Sequence, residues 1–210
     1  MIIAVDGPTA SGKGTIAKAL ADHFGLPHLD TGLLYRAVGL QVALSGGNPD
    51  DPEDALAGTG FPESLLNDPA LRSEETGGLA SRVSIHPAVR AALLARQQAF
   101  AAQPSGAVLD GRDIATVIAP QAEAKLFVTA SLAARALRRW LEMQRRGEAV
   151  TREAIEKDLA ARDERDRTRA TAPLRQAEGA ALLDTSALPP EAAIAAAIAL
   201  VEKQIASSPT

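Results

Sequence analysis

Cysteine is absent from the 210-residue chain, which excludes disulfides, thiolate catalysis and cysteine-ligated zinc. Histidine is scarce, and His23, His28 and His86 stand apart without ligand spacing. A histidine metal centre is therefore not expected. Aromatic residues make up only 3% of the chain, and alanine is abundant, so the core should be aliphatic and helices should dominate. No apolar run approaches a membrane span, and no charged n-region with a long apolar stretch opens the chain. The expectation is no membrane association and a cytoplasmic protein. Charge of one sign is also lacking: the net value is −4, which argues against nucleic acid as the main partner. The length suits one α/β domain with an insertion, expected to act as a monomer, and is too short for two catalytic domains.

Positive charge is nevertheless unevenly spread. Arg135, Arg138, Arg139, Arg145, Arg146, Arg152, Arg162, Arg165, Arg167, Arg169 and Arg175 all fall in the last third, where lysine is rare. Arginine suits bidentate phosphate contacts. A small polyanion is the expected ligand.

The strongest signal lies near the start. Gly7, Pro8, Thr9, Ala10, Ser11, Gly12, Lys13, Gly14 and Thr15 follow the apolar run Met1–Val5 and precede the helical Ile16–Leu20. Strand, glycine-rich turn and helix together make a phosphate-binding P-loop. Glycines let several backbone N–H groups turn toward one anion, and the helix adds the positive end of its dipole. Lys13 supplies a mobile cation for the β- and γ-phosphates, and a hydroxyl can reach Mg²⁺. That hydroxyl is displaced: Gly14 follows the lysine, and Thr15 comes one place later.

Further along, Leu26–Leu29 reads as a second strand, and Asp30-Thr31 caps a helix running to about Ser45. Gly46–Ala80 is rich in glycine and proline and should be loops with short helical turns. Helices are expected near Thr76–Val83 and His86–Ala102, then strands at Ala107–Leu109 and Lys125–Thr129. Ser131 should cap a helix to about Arg146, and Thr151 another running through Arg169 to Pro173. A last strand at Ala180–Asp184 and a helix from Pro190 complete an alternation that implies a parallel sheet covered on both faces.

Ligands of such sheets bind beyond the carboxyl ends of the strands. Three polar groups sit at such ends: the P-loop, Asp30-Thr31, and Asp110-Gly111-Arg112-Asp113. Each alone is more often a cap or a turn; their shared placement favours a site. Tyr35 and Arg36 follow the second group within two helical turns. Arg162, Arg165, Asp166 and Arg169 then recur at i, i+3, i+4 and i+7, on one helix face that repels itself until an anion arrives.

In these residues the chain resembles the bacterial cytidylate kinases of the nucleoside monophosphate kinase group. The matching stretches are DGPTASGKGT at 6–15, LDTGLLYR at 29–36, ASRVSIHPAVRAALLARQ at 80–97, DGRDIATV at 110–117 and ARDERDRTRATAPL at 161–174. The resemblance implies a P-loop NTPase-type three-layer α/β fold. Its core would be residues 1–36, 84–146 and 170–210, with a CMP-binding insert at 37–83 and a lid at 147–169. It implies ATP on Gly7–Thr15, with Mg²⁺ at Thr15, and CMP, and dCMP besides, in the opposing pocket. CMP contacts carry over to Asp30, Thr31, Tyr35, Arg36, Ser81, Arg90, Arg112, Asp113, Arg162, Asp166 and Arg169. Ser81, Arg90 and Asp113 would face the base, while Arg36, Arg112 and Arg169 hold phosphate. Arg162 and Asp166 would meet the ribose, and Lys13, Arg112, Arg162 and Arg169 would act in the transfer. Two departures stand out: Thr31 replaces the family's usual serine, and the insert between about Gly58 and Gly78 is short. The rivals are a shikimate-type kinase with Asp30 as general base toward a hydroxyl, and a nucleotide-dependent switch module; the switch's DxxG and [NT]KxD segments do not appear.

Overall fold

Alternating short apolar runs and longer helical stretches set the architecture, as seen in a computed structural model that describes residues 1–207. Five strands, β1 (Ile2–Asp6), β2 (His28–Asp30), β3 (Ala107–Gly111), β4 (Ala124–Thr129) and β5 (Ala181–Asp184), form one parallel sheet in the order β2-β3-β1-β4-β5. β1 lies between β3 and β4, with Ala4 opposite Leu109 on one side and Lys125 on the other. The chain therefore leaves β1 at the point where the connections diverge, and that is where an open α/β sheet forms its crevice.

The period of two sorts the side chains of β1. Ile3 and Val5 point into a cluster with Leu20, Leu126, Val128 and Val201, covered by α1 (Lys13–Phe24) and α8 (Pro190–Ser207). Ala4 faces the opposite layer with Leu109 and Ile114. Two further clusters lie outside the sheet. One joins α2 (Thr31–Leu44), α4 (Glu74–Val83) and α5 (Pro87–Ala101) through Leu34, Val38, Leu71, Val83 and Val89. The other joins α6 (Leu132–Arg145) and α7 (Arg152–Thr168) through Ala136, Met143, Ile155 and Leu159.

Local chemistry explains the boundaries. The side chains of Asp30, Ser131 and Thr151 accept hydrogen bonds from the first-turn N–H groups of Gly32, Ala134 and Ala154. The glycine- and proline-rich stretch breaks into α3 (Pro52–Ala57) and the short 3₁₀ turns Gly58–Gly60, Glu63–Asn67 and Pro69–Arg72. α7 stops at Thr168, so Arg169 lies just beyond the helix that was expected to include it. Its guanidinium turns back to donate from Nε and Nη2 to the Ala172 carbonyl, 2.9 and 2.7 Å away.

Gly7 shows how tightly the crevice is built. A Cβ there would stand 2.0 Å from the Val128 carbonyl oxygen, whereas one on Gly12 would meet open space. Backbone cannot yield as a flexible side chain can, so the penalty at Gly7 is steric. Gly7→Ala is expected to cost roughly 3 kcal/mol, the upper range for overpacking, and so lower the melting temperature by about 6–12 °C. Calorimetry with Gly60→Ala as the reference checks this, since a Cβ there meets open space at an ordinary backbone angle; equal melting temperatures for the two variants contradict it.

Candidate active site

A cavity of about 430 Å³ opens where β1, β2 and β3 end. Thr9, Ala10, Gly12, Lys13, Gly14 and Thr15 form one end of it. Asp30, Thr31, Tyr35, Arg36, Ser81, Arg90, Arg112, Asp113, Arg162, Asp166 and Arg169 line the remainder. The sequence-predicted residues are thus brought together, with three exceptions that lie behind the wall. Gly7 is wedged against β4. Pro8 offers its carbonyl to Lys13 Nζ at 3.5 Å. Ser11 is fully buried, and its Oγ has no protein hydrogen-bond partner.

The P-loop is held from several sides. Thr185, directly after β5, donates from Oγ1 to the Ser11 carbonyl at 2.9 Å. Arg135 of α6 donates to the Thr9 carbonyl at 3.1 Å and is itself clamped by Asp163 of α7 at 2.6 Å. Arg112 Nη2 reaches Thr9 Oγ1 at 2.7 Å. Four segments distant in sequence therefore fix one anion cradle before any anion arrives.

The opposite end is a set of guanidinium groups confined by carboxylates. Arg90 pairs with Asp113 at 2.5 Å and lies over the Tyr35 ring, its Cζ 5.3 Å from the centroid. Arg112 pairs with Asp166 at 2.8 Å, and Arg169 lies 3.6 Å from Asp166 and 3.9 Å from Asp113. Arg36 donates to the Leu71 and Ser73 carbonyls at 2.8 and 3.0 Å. Its tip shares the space beside Gly77 with that of Arg162: a Cβ on Gly77 would lie 3.0 Å from one and 2.9 Å from the other. Arg162 is held by Glu74 at 2.9 Å and Asp158 at 2.7 Å.

The expected self-repelling face on α7 is therefore compensated internally. Arg165 donates to Ser81 Oγ at 3.0 Å, linking α7 to α4. Glu74 joins the two helices again and also pairs with Arg139 of α6. Sequence reasoning left out Glu74, Asp163 and Thr185, and it counted Arg135, Arg138 and Arg139 only among the clustered arginines, with no individual role. They carry no motif, and their roles are visible only once α4, α6, α7 and β5 converge.

Ionisation follows the crowding. Burial, with Arg112 nearby, lowers the Lys13 ammonium to about 8. Burial and the neighbouring Asp110 raise the Asp30 carboxyl. Burial lowers the Arg36 guanidinium, with Arg162 adding to the effect, and likewise Arg169, with Arg90 adding to it. Positive groups that disfavour their own charge have the most to gain from a phosphate.

The family profile described as Cytidylate kinase matches residues 3–203. The chain belongs to the cytidylate kinase family. Relatives described as cytidylate kinase align over nearly the whole length. The one from Xanthobacter autotrophicus is 57% identical over 202 residues, covering 96% of this chain and 97% of its own. Those from Rhodopseudomonas palustris and Caulobacter sp. are 55% and 52% identical, each covering 96% of this chain and 96% and 94% of their own. Among the described residues no helix is long and apolar enough to cross a membrane.

Lys13 gives this site a pH signature. Above about 8 the free protein holds Lys13 largely neutral, and a bound triphosphate favours its charged form. Nucleoside triphosphate binding should therefore take up a proton at about pH 8.5, and less as pH falls toward 7. Calorimetry in buffers of different ionisation enthalpy reads this directly. An identical uptake in Lys13→Met contradicts the assignment.

Proposed function

We propose that the protein transfers the γ-phosphoryl group of ATP to CMP, and to dCMP, giving ADP and the pyrimidine diphosphate, as a cytoplasmic monomer. The supporting observation is a single cavity with a backbone cradle and Lys13 at one end and carboxylate-held arginines at the other. In this reading residues 1–36, 84–146 and 170–210 are the core, 37–83 the CMP-binding insert and 147–169 the lid. The lid closes over the triphosphate and keeps water from it.

ATP lies along Gly7–Thr15, its β- and γ-phosphates against the loop amides and Lys13. The residues fit Mg²⁺: Thr15, an exposed residue with a hydroxyl, lines the cavity, and Asp30 and Asp110 give that end a negative field that favours a cation. Such an ion would arrive on the phosphates. Thr15 would hold it, and the ion would neutralise charge on the transferring group.

CMP takes the arginine end. Its phosphate is already anionic, so no general base is required, and catalysis reduces to alignment and charge stabilisation. Arg36, Arg112 and Arg169 grip this phosphate; Lys13, Arg112, Arg162 and Arg169 stabilise the group in flight. Asp30 is committed as an N-cap, accepting from Gly32 N at 2.9 Å, which disfavours the rival in which it deprotonates a hydroxyl. Thr31 donates to the Asp110 carbonyl at 2.8 Å, so its extra methyl leaves the hydroxyl fixed. Asp166, between Arg112 and Arg169, is left for the ribose with Arg162.

Base choice rests on Asp113. Arg90 occupies Oδ2 at 2.5 Å, whereas Oδ1 has only Arg169 at 3.9 Å. Oδ1 is thus free to accept from the cytosine amino group, where uracil would present a carbonyl. Ser81 and Arg90 complete the base pocket.

Purified protein with ATP, Mg²⁺ and a panel of CMP, dCMP, UMP and AMP should release ADP fastest with the cytidylates; equal release without any monophosphate overturns the reading. Asp113→Asn should narrow the CMP-over-UMP preference by about two decades or more while leaving the KM for ATP within a few-fold. An unchanged preference refutes the base assignment. Arg169→Ala leaves Asp113 covered by Arg90, so the fold should survive while kcat falls about three decades; a fall under tenfold contradicts its role.

A further inference from the structure

Asp6 is the last residue of β1, only 2% exposed, and belongs to neither end of the cavity. Its carboxylate crosses beneath the site. Oδ1 accepts the N–H of Ile114 at 2.8 Å and Oδ2 that of Ala115 at 2.9 Å. These are the first two N–H groups of Ile114–Ile118, a single turn of π-helix. Such a turn leaves its first donors without partners inside itself, and no local side chain caps this one. A carboxylate from another strand does so instead, and the donor ends of both amides favour its negative charge.

Asp113 is the residue directly before that turn, held at φ −145° and ψ 25°. Its direction, and hence that of Arg90 and Arg169 around it, follows from where the turn begins. We infer that Asp6 is a positioning residue for the cytidylate pocket, its two-oxygen cap on Ile114 and Ala115 setting the aim of Asp113. The inference deepens the cytidylate kinase reading and rests on it.

Stability does not explain the charge. Burial pushes the Asp6 carboxyl up to about 6, against the lowering effect of the two amides. An acid whose folded value is raised contributes stability below its unfolded value and loses it as pH rises through the folded one. At neutral pH the ionised Asp6 is thus a cost to folding, kept while the turn is held. The ionisable groups facing it are Asp113, which raises it, and Arg112, which lowers it, both following β3; β4 brings Phe127 into register.

The test compares wild type with Asp6→Asn, which keeps the shape but turns one acceptor into a donor facing an N–H. At about pH 8, KM for CMP should rise about tenfold and KM for ATP less than twofold, the effect of one charge-assisted hydrogen bond. The variant-to-wild-type ratio for CMP should then shrink toward one as pH falls to about 5.5, because protonation does to Asp6 what the substitution does. Titration of the CMP phosphate, near pH 6, is common to both proteins and cancels in the ratio. Equal rises for ATP and CMP overturn the inference, since Asp6 then serves the P-loop or the fold. A ratio of one at pH 8, or one independent of pH, overturns it as well. If the variant does not fold, cytidine, which has no phosphate to titrate, replaces it as the probe on wild type. Its affinity should weaken as pH falls through about 6, and a flat profile overturns the inference. A wild type that releases no ADP in response to CMP overturns the parent reading, and this one with it.

Discussion

Confinement of like charge is the constraint on which this structure turns. Arg36 and Arg162 converge beside Gly77, Arg90 and Arg169 flank Asp113, and Arg112 lies on Asp166. Removing a guanidinium from water is costly, and two together cost more, so each is tied to a carboxylate or to backbone carbonyls. The result is a pocket with positive charge fixed in place and only partly compensated. A phosphate entering it meets donors that need no reorganisation, the condition under which electrostatic stabilisation is most effective.

The parallel sheet makes this confinement possible. Its strands end at one edge, so short polar segments after β1, β2, β3 and β5 meet without long-range distortion of the chain. α6, α7 and the residue that follows α7 then supply arginines from above: Arg135 to the P-loop, Arg162 to Glu74 of α4 and Arg169 to the shared carboxylates. The same side chains that form the site also fasten α7 to α4 and to the P-loop.

Much of this was legible in the sequence, for a physical reason. Strand–glycine-turn–helix chemistry is local, so the P-loop and the Asp30, Ser131 and Thr151 caps could be read from neighbouring residues. The alternation of apolar runs with helical stretches fixed the sheet as parallel, and the resemblance brought Arg36, Asp113 and Asp166 into one site. The misses are of a different kind. Arg169 was expected within a helix face but lies past its end, its own backbone extended at φ −57° and ψ 140°, and its guanidinium meets the carbonyl of the left-handed Ala172, φ 50°. Arg165 looked like an anion ligand and instead holds Ser81. Glu74 is one of two adjacent acids opening α4, with nothing local to single it out, and Thr185 is an ordinary residue after a strand. Their partners, Arg162 and the Ser11 carbonyl, lie 88 and 174 residues away in sequence, beyond the reach of any local pattern.

The central claim is that two phosphorylated nucleotides lie end to end between an amide cradle and an arginine cluster. It is tested most directly with one molecule, adenosine joined to cytidine through five phosphates. Calorimetric competition should find that it binds orders of magnitude more tightly than either ATP or CMP, and that it displaces both at once. A ligand that displaces only one of them, or binds no more tightly than ATP, would contradict the account.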